Sequence, residues 1–228
     1  MNMKKIISFF IVACCAMCAT AAKVVWQIGV ADNSGTELAL GPSEYKKFLA
    51  HDFGYEDRYF LVGTSVDKND FPYVLPGPDD TWGGTWSTSG WRTHDANILF
   101  GIKKLPNHGK WKLVVDLLDA NPSRSVVKVM VNSAEKKFEI KGHSKGVLEG
   151  NLQDAKEQIL EFPISANDLK KGGNMVTVSV LEGGWIVFDQ IRLEGADELV
   201  LEKNNEYAFL RNVAPAEYEM EMDGAKIQ

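Results

Sequence analysis

The stretch WIVFDQIRL, from Trp185 to Leu193, decides the fold of this chain. Its odd-numbered positions include the apolar residues Trp185, Val187, Ile191 and Leu193. This two-residue period is typical of a β-strand with a buried face. Because Ile186 and Phe188 make the start of the other face apolar too, we expect a central strand, covered on both sides.

Asp189 lies in the middle of this apolar strand, so the sequence predicts that it is at least partly buried. A buried carboxylate must be hydrogen-bonded or paired, because its desolvation is costly. We expect Asp189 to fix a neighbouring loop; the alternative is contact with a metal ion or a sugar.

Further short strands are predicted along the chain from about Val24 to Gly195. They are Arg58–Val66, Ala96–Ile102, Lys110–Leu118, Val127–Val131, Phe138–Ile140, Leu160–Ile164 and Met175–Leu181. Pro163 indicates an edge position, since proline cannot donate to a ladder. Helices are few: one short helix is expected over Ser43–Leu49, with Tyr45, Phe48 and Leu49 on one face. This pattern predicts an all-β protein, an antiparallel two-sheet β-sandwich with one or two short helices.

The segment FPYVLPGPDDTWGGTWSTSGWRTH, Phe71 to His94, interrupts the strand pattern. Its prolines and glycines break regular structure, and neither the strand nor the helix period continues through it. Three tryptophans argue against disorder, since disordered tracts are poor in aromatic residues. We therefore expect an ordered loop that offers indole faces beside charged groups, a surface suited to sugar rings.

The predicted carbohydrate-binding residues are Trp82, Trp86, Asp80, Arg92 and His94. Trp91, Trp111 and Trp185 are assigned to the core. Three alternatives stay open: the loop indoles could pack inward, the Asp79–Asp80 pair could be a solvated turn, and Arg92 could form a salt bridge within the loop. Asp79 and Asp80 are also weak candidates for calcium ligands, since calcium prefers oxygen donors. No cofactor is required by the pattern, although a structural calcium is compatible with it.

Residues 1–22 are predicted to be a signal peptide. Lys4 and Lys5 precede a short apolar run, and Ala19-Thr20-Ala21 is a small-residue cleavage pattern. The run is too short to span a membrane, and no later segment is longer. We expect a protein exported to the periplasm or secreted; alternatively, Ile11-Val12-Ala13-Cys14 resembles a lipoprotein box that would anchor the chain through Cys14.

Composition excludes several classes of function. All three cysteines, Cys14, Cys15 and Cys18, lie within the predicted leader, so disulfides and cysteine-based zinc or nucleophile chemistry are not expected in the remainder. The formal charge is −6, and no segment is rich in lysine and arginine. Nucleic acid is therefore not an expected partner, because phosphate binding needs clustered basic groups.

Several segments together resemble the third domain of the family-four polysaccharide lyases, the rhamnogalacturonan lyases. The residues that carry the resemblance are Trp26-Gln27-Ile28-Gly29, Gly90-Trp91-Arg92, Val129-x-Val131-Asn132, Leu169-x-x-Gly172-x-Asn174 and Trp185 to Glu194. The likeness covers roughly Val24 to Glu194. It implies a galactose-binding-like jelly roll that binds carbohydrate or supports a catalytic domain.

We therefore expect a non-catalytic carbohydrate-binding module acting on plant or other complex polysaccharide. The alternative is a structural accessory domain at the N-terminus of a larger polysaccharide lyase or glycoside hydrolase, with no sugar contact of its own. An enzyme with its own site is left open, because a carboxylate pair is defined in space rather than in sequence. The lysine and histidine that the family's lyase chemistry uses have no counterpart that can be placed in this chain.

The sandwich domain is predicted to cover residues 23–195, followed by an acidic segment at 196–228. Glu217 to Met222 alternates strictly, and Asp223-Gly224 then gives a hairpin turn signal before a second short strand. We expect this segment to begin a further domain or to pair with a catalytic domain or protein partner through residues 216–228. A frayed acidic tail is the alternative.

Overall fold

The computed structural model describes residues 22–51, 53, 58–83 and 94–203, together with the backbone of strands at 220–222 and 225–227. The thirteen strands within these ranges are β1 Lys23–Gly29, β2 Arg58–Leu61, β3 Val74–Leu75, β4 Asp95–Lys104, β5 Lys110–Ala120, β6 Arg124–Val131, β7 Ala134–Lys141, β8 Gln158–Ser165, β9 Gly172–Glu182, β10 Ile186–Gly195, β11 Val200–Glu202, β12 Met220–Met222 and β13 Ala225–Ile227. The described helical segments are one α-helical turn, α1 Asp67–Asp70, and several 3₁₀ turns. The predicted signal peptide lies almost entirely outside the described residues.

Five strands form the first sheet, in the order β1-β10-β5-β8, with β3 also paired to β10. The predicted central position of the strand that decides the fold is confirmed, because β10 pairs with β1 on one side and β5 on the other. The predicted edge position of Pro163 is also confirmed, since β8 is the outermost strand and Pro163 lies opposite Lys112 of β5.

Six strands form the second sheet, in the order β11-β4-β9-β6-β7, with β2 running parallel to β4. The alternation predicted for β6 is observed, because Val127, Val129 and Val131 are buried while Lys128 and Met130 between them are partly exposed. The apolar faces of the two sheets form one core, which includes Trp111 and Trp185 as predicted. The prediction of an all-β two-sheet sandwich is confirmed.

The local predictions were wrong at three places. The helix expected over Ser43–Leu49 is replaced by two 3₁₀ turns, Tyr45–Lys47 and Leu49–His51. The strand expected over Arg58–Val66 ends at Leu61, because a turn follows in which the Ser65 hydroxyl accepts a hydrogen bond from the Leu61 N–H. The strand expected over Lys110–Leu118 continues to Ala120.

Two carboxylates inside the sandwich hold loops at its surface. Asp189 is fully buried and accepts hydrogen bonds from the backbone N–H groups of Asn33 (3.1 Å) and Ser34 (3.2 Å). Asp119 is also fully buried and accepts from the N–H groups of His143 (2.8 Å) and Ser144 (3.1 Å). The expectation that Asp189 fixes a neighbouring loop is confirmed.

The sandwich extends past residue 195, where the sequence placed its boundary. Strand β11 pairs with β4 at the end of the six-stranded sheet, so residues up to Glu202 belong to the sandwich. Farther along the chain, β12 and β13 pair with each other in antiparallel register, with Met220 opposite Ile227. The hairpin expected in this region is confirmed for these two strands; its turn at Asp223-Gly224 and residues 216–219 lie outside the described residues.

Candidate functional site

The aromatic segment leads from the five-stranded sheet to the start of β4, at the end of the sandwich where Asp95 pairs with Ser179. The structure describes it as far as Gly83 and again from His94. Trp86, Trp91 and Arg92 lie outside the described residues, so their predicted roles stay predictions. Asp79, Asp80, Trp82 and His94 can be placed.

Trp82 is partly buried and belongs to a short 3₁₀ turn, Thr81–Gly83. Its indole packs edge to face against the rings of Tyr45 (centroids 5.0 Å apart) and Phe48 (6.1 Å). Such edge-to-face pairs are favourable because the positive edge of one ring meets the negative face of the other. The indole is therefore held in one orientation while part of it stays accessible.

Asp80 lies two residues before Trp82 and is 7% exposed. Its carboxylate accepts a hydrogen bond from the backbone N–H of Gly77 (2.8 Å). Burial raises the pKa of Asp80 to about 6; the hydrogen bond from Gly77 opposes this rise, and neighbouring Asp79 adds to it. Asp80 therefore closes a turn within the aromatic segment.

His94 is 2% exposed, and its Nε2–H donates a hydrogen bond to the carbonyl of Gly83. Its ring also contacts Phe48 edge to face, with centroids 5.3 Å apart. His94 and Gly83 flank the part of the loop at 84–93, so this hydrogen bond brings the two ends of that part together. The histidine is a structural residue of the loop base.

Two of the predicted binding residues lie below the surface. Asp80 and His94 are buried and hydrogen-bonded to the loop's own backbone, and their predicted contact with a sugar stays a prediction. The reason is physical: a loop this rich in proline and glycine forms few backbone ladders, so side chains must satisfy its polar groups. Whether Trp82 binds sugar is not decided by this packing and stays a prediction.

Among the described residues at this end, Tyr45 and Trp82 are aromatic and partly exposed, and together we call them the aromatic rim. Tyr45 was assigned to the inner face of a short helix and not to the site. It is partly exposed, and the Lys46 ammonium lies 5.7 Å from its ring centroid. The signal that could have indicated its role is its spacing from Phe48, since both residues contact the same indole.

The two weak calcium candidates differ in exposure. Asp79 is exposed, whereas Asp80 is buried and accepts a hydrogen bond from the Gly77 N–H. Within the described ranges, no group of three or more histidine, cysteine or acidic side chains is placed to hold a metal ion. A structural calcium stays a prediction.

The comparison with known families decides the identity of this sandwich. Residues 24–193 match the CBM-like family, described as domain III of polysaccharide lyase family 4. The chain belongs to this family. The expected resemblance is thereby confirmed, and the CBM-like domain is a carbohydrate-binding or accessory domain.

Solved structures are similar to the CBM-like domain only at low identity. One is a family GH115 4-O-methyl-α-glucuronidase with specificity for decorated arabinogalactans (14% identity, TM-score 0.37); the match covers 75% of this chain and 17% of that chain. Two are family 35 carbohydrate-binding modules: one from an environmental isolate (14%, TM-score 0.33, 49% of this chain and 72% of that chain) and one from Cellvibrio japonicus Abf62 (10%, TM-score 0.34, 50% and 73%).

The search of curated proteins gave no match to the CBM-like chain. Across the described residues, no helix has both the length and the apolar character needed to cross a bilayer. The assignment to the family therefore depends on the match over residues 24–193.

Proposed function

We propose that this CBM-like protein is an exported, non-catalytic carbohydrate-binding module whose aromatic rim takes a sugar ring of a plant or other complex polysaccharide. Its family supports carbohydrate binding or an accessory role, and the rim offers a surface for it. The ligand would lie against the accessible part of Trp82 and Tyr45, and Trp86 and Arg92 would add contacts from the adjoining part of the loop.

The observation that carries this proposal is the fixed orientation of Trp82. Two edge-to-face ring contacts, with Tyr45 and Phe48, hold the indole before any ligand arrives. A preorganised aromatic group loses little conformational entropy on binding, so more of the stacking energy is available as affinity. The hydrogen-bonded loop base thus serves binding by holding the rim.

A second candidate function is a structural accessory domain of a larger polysaccharide lyase or glycoside hydrolase, without sugar contact. The inward packing of Trp82 against Phe48 favours it, because indoles that stabilise a loop need no ligand. The strands near the C-terminus would then pair with a catalytic domain or protein partner through residues 216–228.

Export is part of the proposal, with the periplasm or the medium as destination and attachment through Cys14 as the alternative. The intact mass of the protein isolated from its natural host tests both. A chain that begins near Lys23 supports cleavage of the leader, a lipid-modified N-terminus at Cys14 supports anchoring, and a chain that begins at Met1 contradicts export.

We expect Trp82→Ala to weaken binding of the best neutral oligosaccharide about three- to tenfold. The substitution removes the stacking face, and one aromatic contact of this kind contributes about 0.5–1.5 kcal/mol. Tryptophan fluorescence titration and calorimetry against a glycan panel measure the change, with Trp86→Ala as a second variant. Trp82→Phe keeps part of the loop packing and should lose less affinity.

Trp111→Phe is the matched control, because Trp111 is a buried indole at the opposite end of the sandwich. It should leave affinity within about twofold, and the thermal midpoint of each variant shows whether the fold persists. If the unmodified chain binds no member of the panel, or if folded Trp82→Ala and Trp86→Ala both bind normally, the accessory function replaces the proposal.

A further inference from the structure

A cleft of about 670 Å³ opens toward the end of the sandwich that is opposite the aromatic rim. Strand β4 leaves the rim at Asp95, opposite Ser179, and reaches the other end at Ile102, opposite Gly172. The cleft is lined by the β6–β7 turn at Asn132 and Ser133 and by the connection from β8 to β9. The cleft therefore shares no lining residue with the aromatic rim.

Two asparagines form its rigid wall. The Asn132 amide donates to the carbonyl of Asp168 (2.8 Å) and to Oδ1 of Asn174 (2.9 Å). Asn174 is 2% exposed, accepts from the N–H of Lys170 (2.9 Å) and donates back to the carbonyl of Lys170 (2.7 Å). The backbone of Asn132 has a φ of 54°, a left-handed conformation that asparagine tolerates better than most residues.

The floor of the cleft is apolar. Leu99 and Met175 lie opposite each other on β4 and β9, and both line the cleft. Met175 is 36% exposed, which is unusual for a large apolar side chain of a central strand. Methionine and leucine carbons can contact the C–H face of a sugar ring without directional demands.

The mouth of the cleft carries Ser133, Asn167 and Lys170, all exposed. Within the described part of the chain, none of these three side chains is engaged in a hydrogen bond or an ion pair. Asp168 also lines the cleft, and its Oδ2 accepts from both the N–H (2.8 Å) and the hydroxyl (2.7 Å) of Ser165. A hydroxyl, an amide and an ammonium group are thus available above an apolar floor.

We propose that this cleft is a second ligand site, which binds an oligosaccharide carrying an acidic group, either a carboxylate or a sulfate. Lys170 would pair with the acidic group, Ser133 and Asn167 would hydrogen-bond hydroxyls, and Met175 would contact the ring. The exposed Lys170 ammonium makes an anionic group the complementary partner at this place. The inference extends the proposed carbohydrate binding, but it concerns a different surface.

Titration of ¹⁵N-labelled protein followed by NMR tests the site. The probes are a trisaccharide of galacturonic acid, a sulfated galactose disaccharide and a neutral galactose trisaccharide. We expect the acidic probes to shift the amides of Ser133 and of residues 167–175. Lys170→Glu should weaken their binding at least tenfold, since it replaces attraction with repulsion. Lys141→Glu is the matched control, because Lys141 is an exposed lysine at the far end of β7, and it should change affinity less than twofold.

The same spectra separate this site from the aromatic rim. The cleft proposal fails if no acidic probe shifts the cleft amides, or if the shifts are confined to Thr81–Gly83. It also fails if Lys170→Glu and Lys141→Glu lose affinity equally, or if the neutral trisaccharide binds in the cleft as well as the acidic probes do. A neutral glycan that shifts Trp82 but not Asn167 would leave the proposed function standing while the cleft fails. Cleft shifts that persist in Trp82→Ala, together with unchanged rim amides, would support the cleft alone.

Discussion

Replacement of Asp119 with alanine is expected to lower the free energy of unfolding by about 3 kcal/mol. The fully buried carboxylate accepts from the N–H groups of Ala120, His143 and Ser144. Without it, these donors lose their acceptor, and each buried donor left without one costs about 1–3 kcal/mol before relaxation and water entry reduce the sum. Urea unfolding at pH 7, followed by tryptophan fluorescence, measures the loss.

The loss should be concentrated in one region of the sandwich. The segment after His143 contains two 3₁₀ turns, Lys145–Glu149 and Leu152–Asp154, and its Val147 carbonyl accepts from the Tyr73 hydroxyl at 3.3 Å. Hydrogen exchange in Asp119→Ala should therefore rise first at residues 143–155.

Asp79→Ala is the control for Asp119→Ala, since Asp79 is an exposed carboxylate at the same end. It should change stability by less than about 0.5 kcal/mol. Equal stability of the two variants, or exchange that rises evenly over both sheets, would contradict the role of Asp119.

Replacement of Asp116 with asparagine is expected to stabilise the protein at pH 7, by about 1–3 kcal/mol. Asp116 is 2% exposed on β5, and within the described residues its Oδ1 has no hydrogen-bond partner. Burial raises its pKa to about 6, with repulsion from Glu157 and Asp189 adding to the rise and Arg192 opposing it. Ionising this carboxylate in the folded state is therefore unfavourable, and asparagine removes that cost.

The sign of the pH dependence follows from the raised pKa. In the unfolded chain the carboxyl group ionises near its ordinary value of 3.8, whereas in the folded chain it ionises at about 6. Below pH 3.8 the carboxyl group is protonated in both states, so it does not change the free energy of unfolding. As pH rises from about 4 to about 6, the group ionises only in the unfolded chain, and the free energy of unfolding therefore falls. Asp80, whose pKa is also raised to about 6, contributes in the same direction.

The stabilising effect of Asp116→Asn should accordingly be large at pH 7 and nearly absent at pH 4. Any effect of the amide on packing is independent of pH, so the difference between the two measurements isolates the ionisation. Chemical unfolding at both pH values provides the test. A gain of the same size at pH 4 and pH 7 would show that Asp116 has an ordinary pKa in the folded protein.

Much of the sandwich could be predicted because alternation of side chains reports burial directly. Both apolar faces of the Trp185–Leu193 stretch indicated a central strand, and Pro163 indicated an edge; both positions are as expected. The parallel pairing of β2 with β4 was not predicted, because the alternation within a strand does not specify its neighbour or its direction. A helix was expected over Ser43–Leu49 because the spacing of apolar side chains in the 3₁₀ turns found there is close to that of an α-helix.

The buried polar residues were harder to predict because a sequence pattern does not report which backbone groups of an irregular segment need a side-chain partner. Asp80, Asp119 and His94 are polar residues near turns, where exposed side chains are the usual expectation. Each is buried and hydrogen-bonded to backbone groups of an irregular segment. Likewise, Asn132 and Asn174 were noted only as parts of a resemblance, and the structure supplies the reason: their amides join the β6–β7 turn to the start of β9, 42 residues away.

Pro163 on β8 has a consequence for the protein at high concentration. The outer row of N–H and C=O groups on an edge strand is a template on which a strand of another molecule can add, and such additions lead to aggregation. A proline leaves a gap in the row of donors, and Glu161, two residues earlier on the same strand, adds a charge that an incoming strand would have to accommodate. Residues of the edge strand itself thus protect this side of the sandwich against uncontrolled polymerisation.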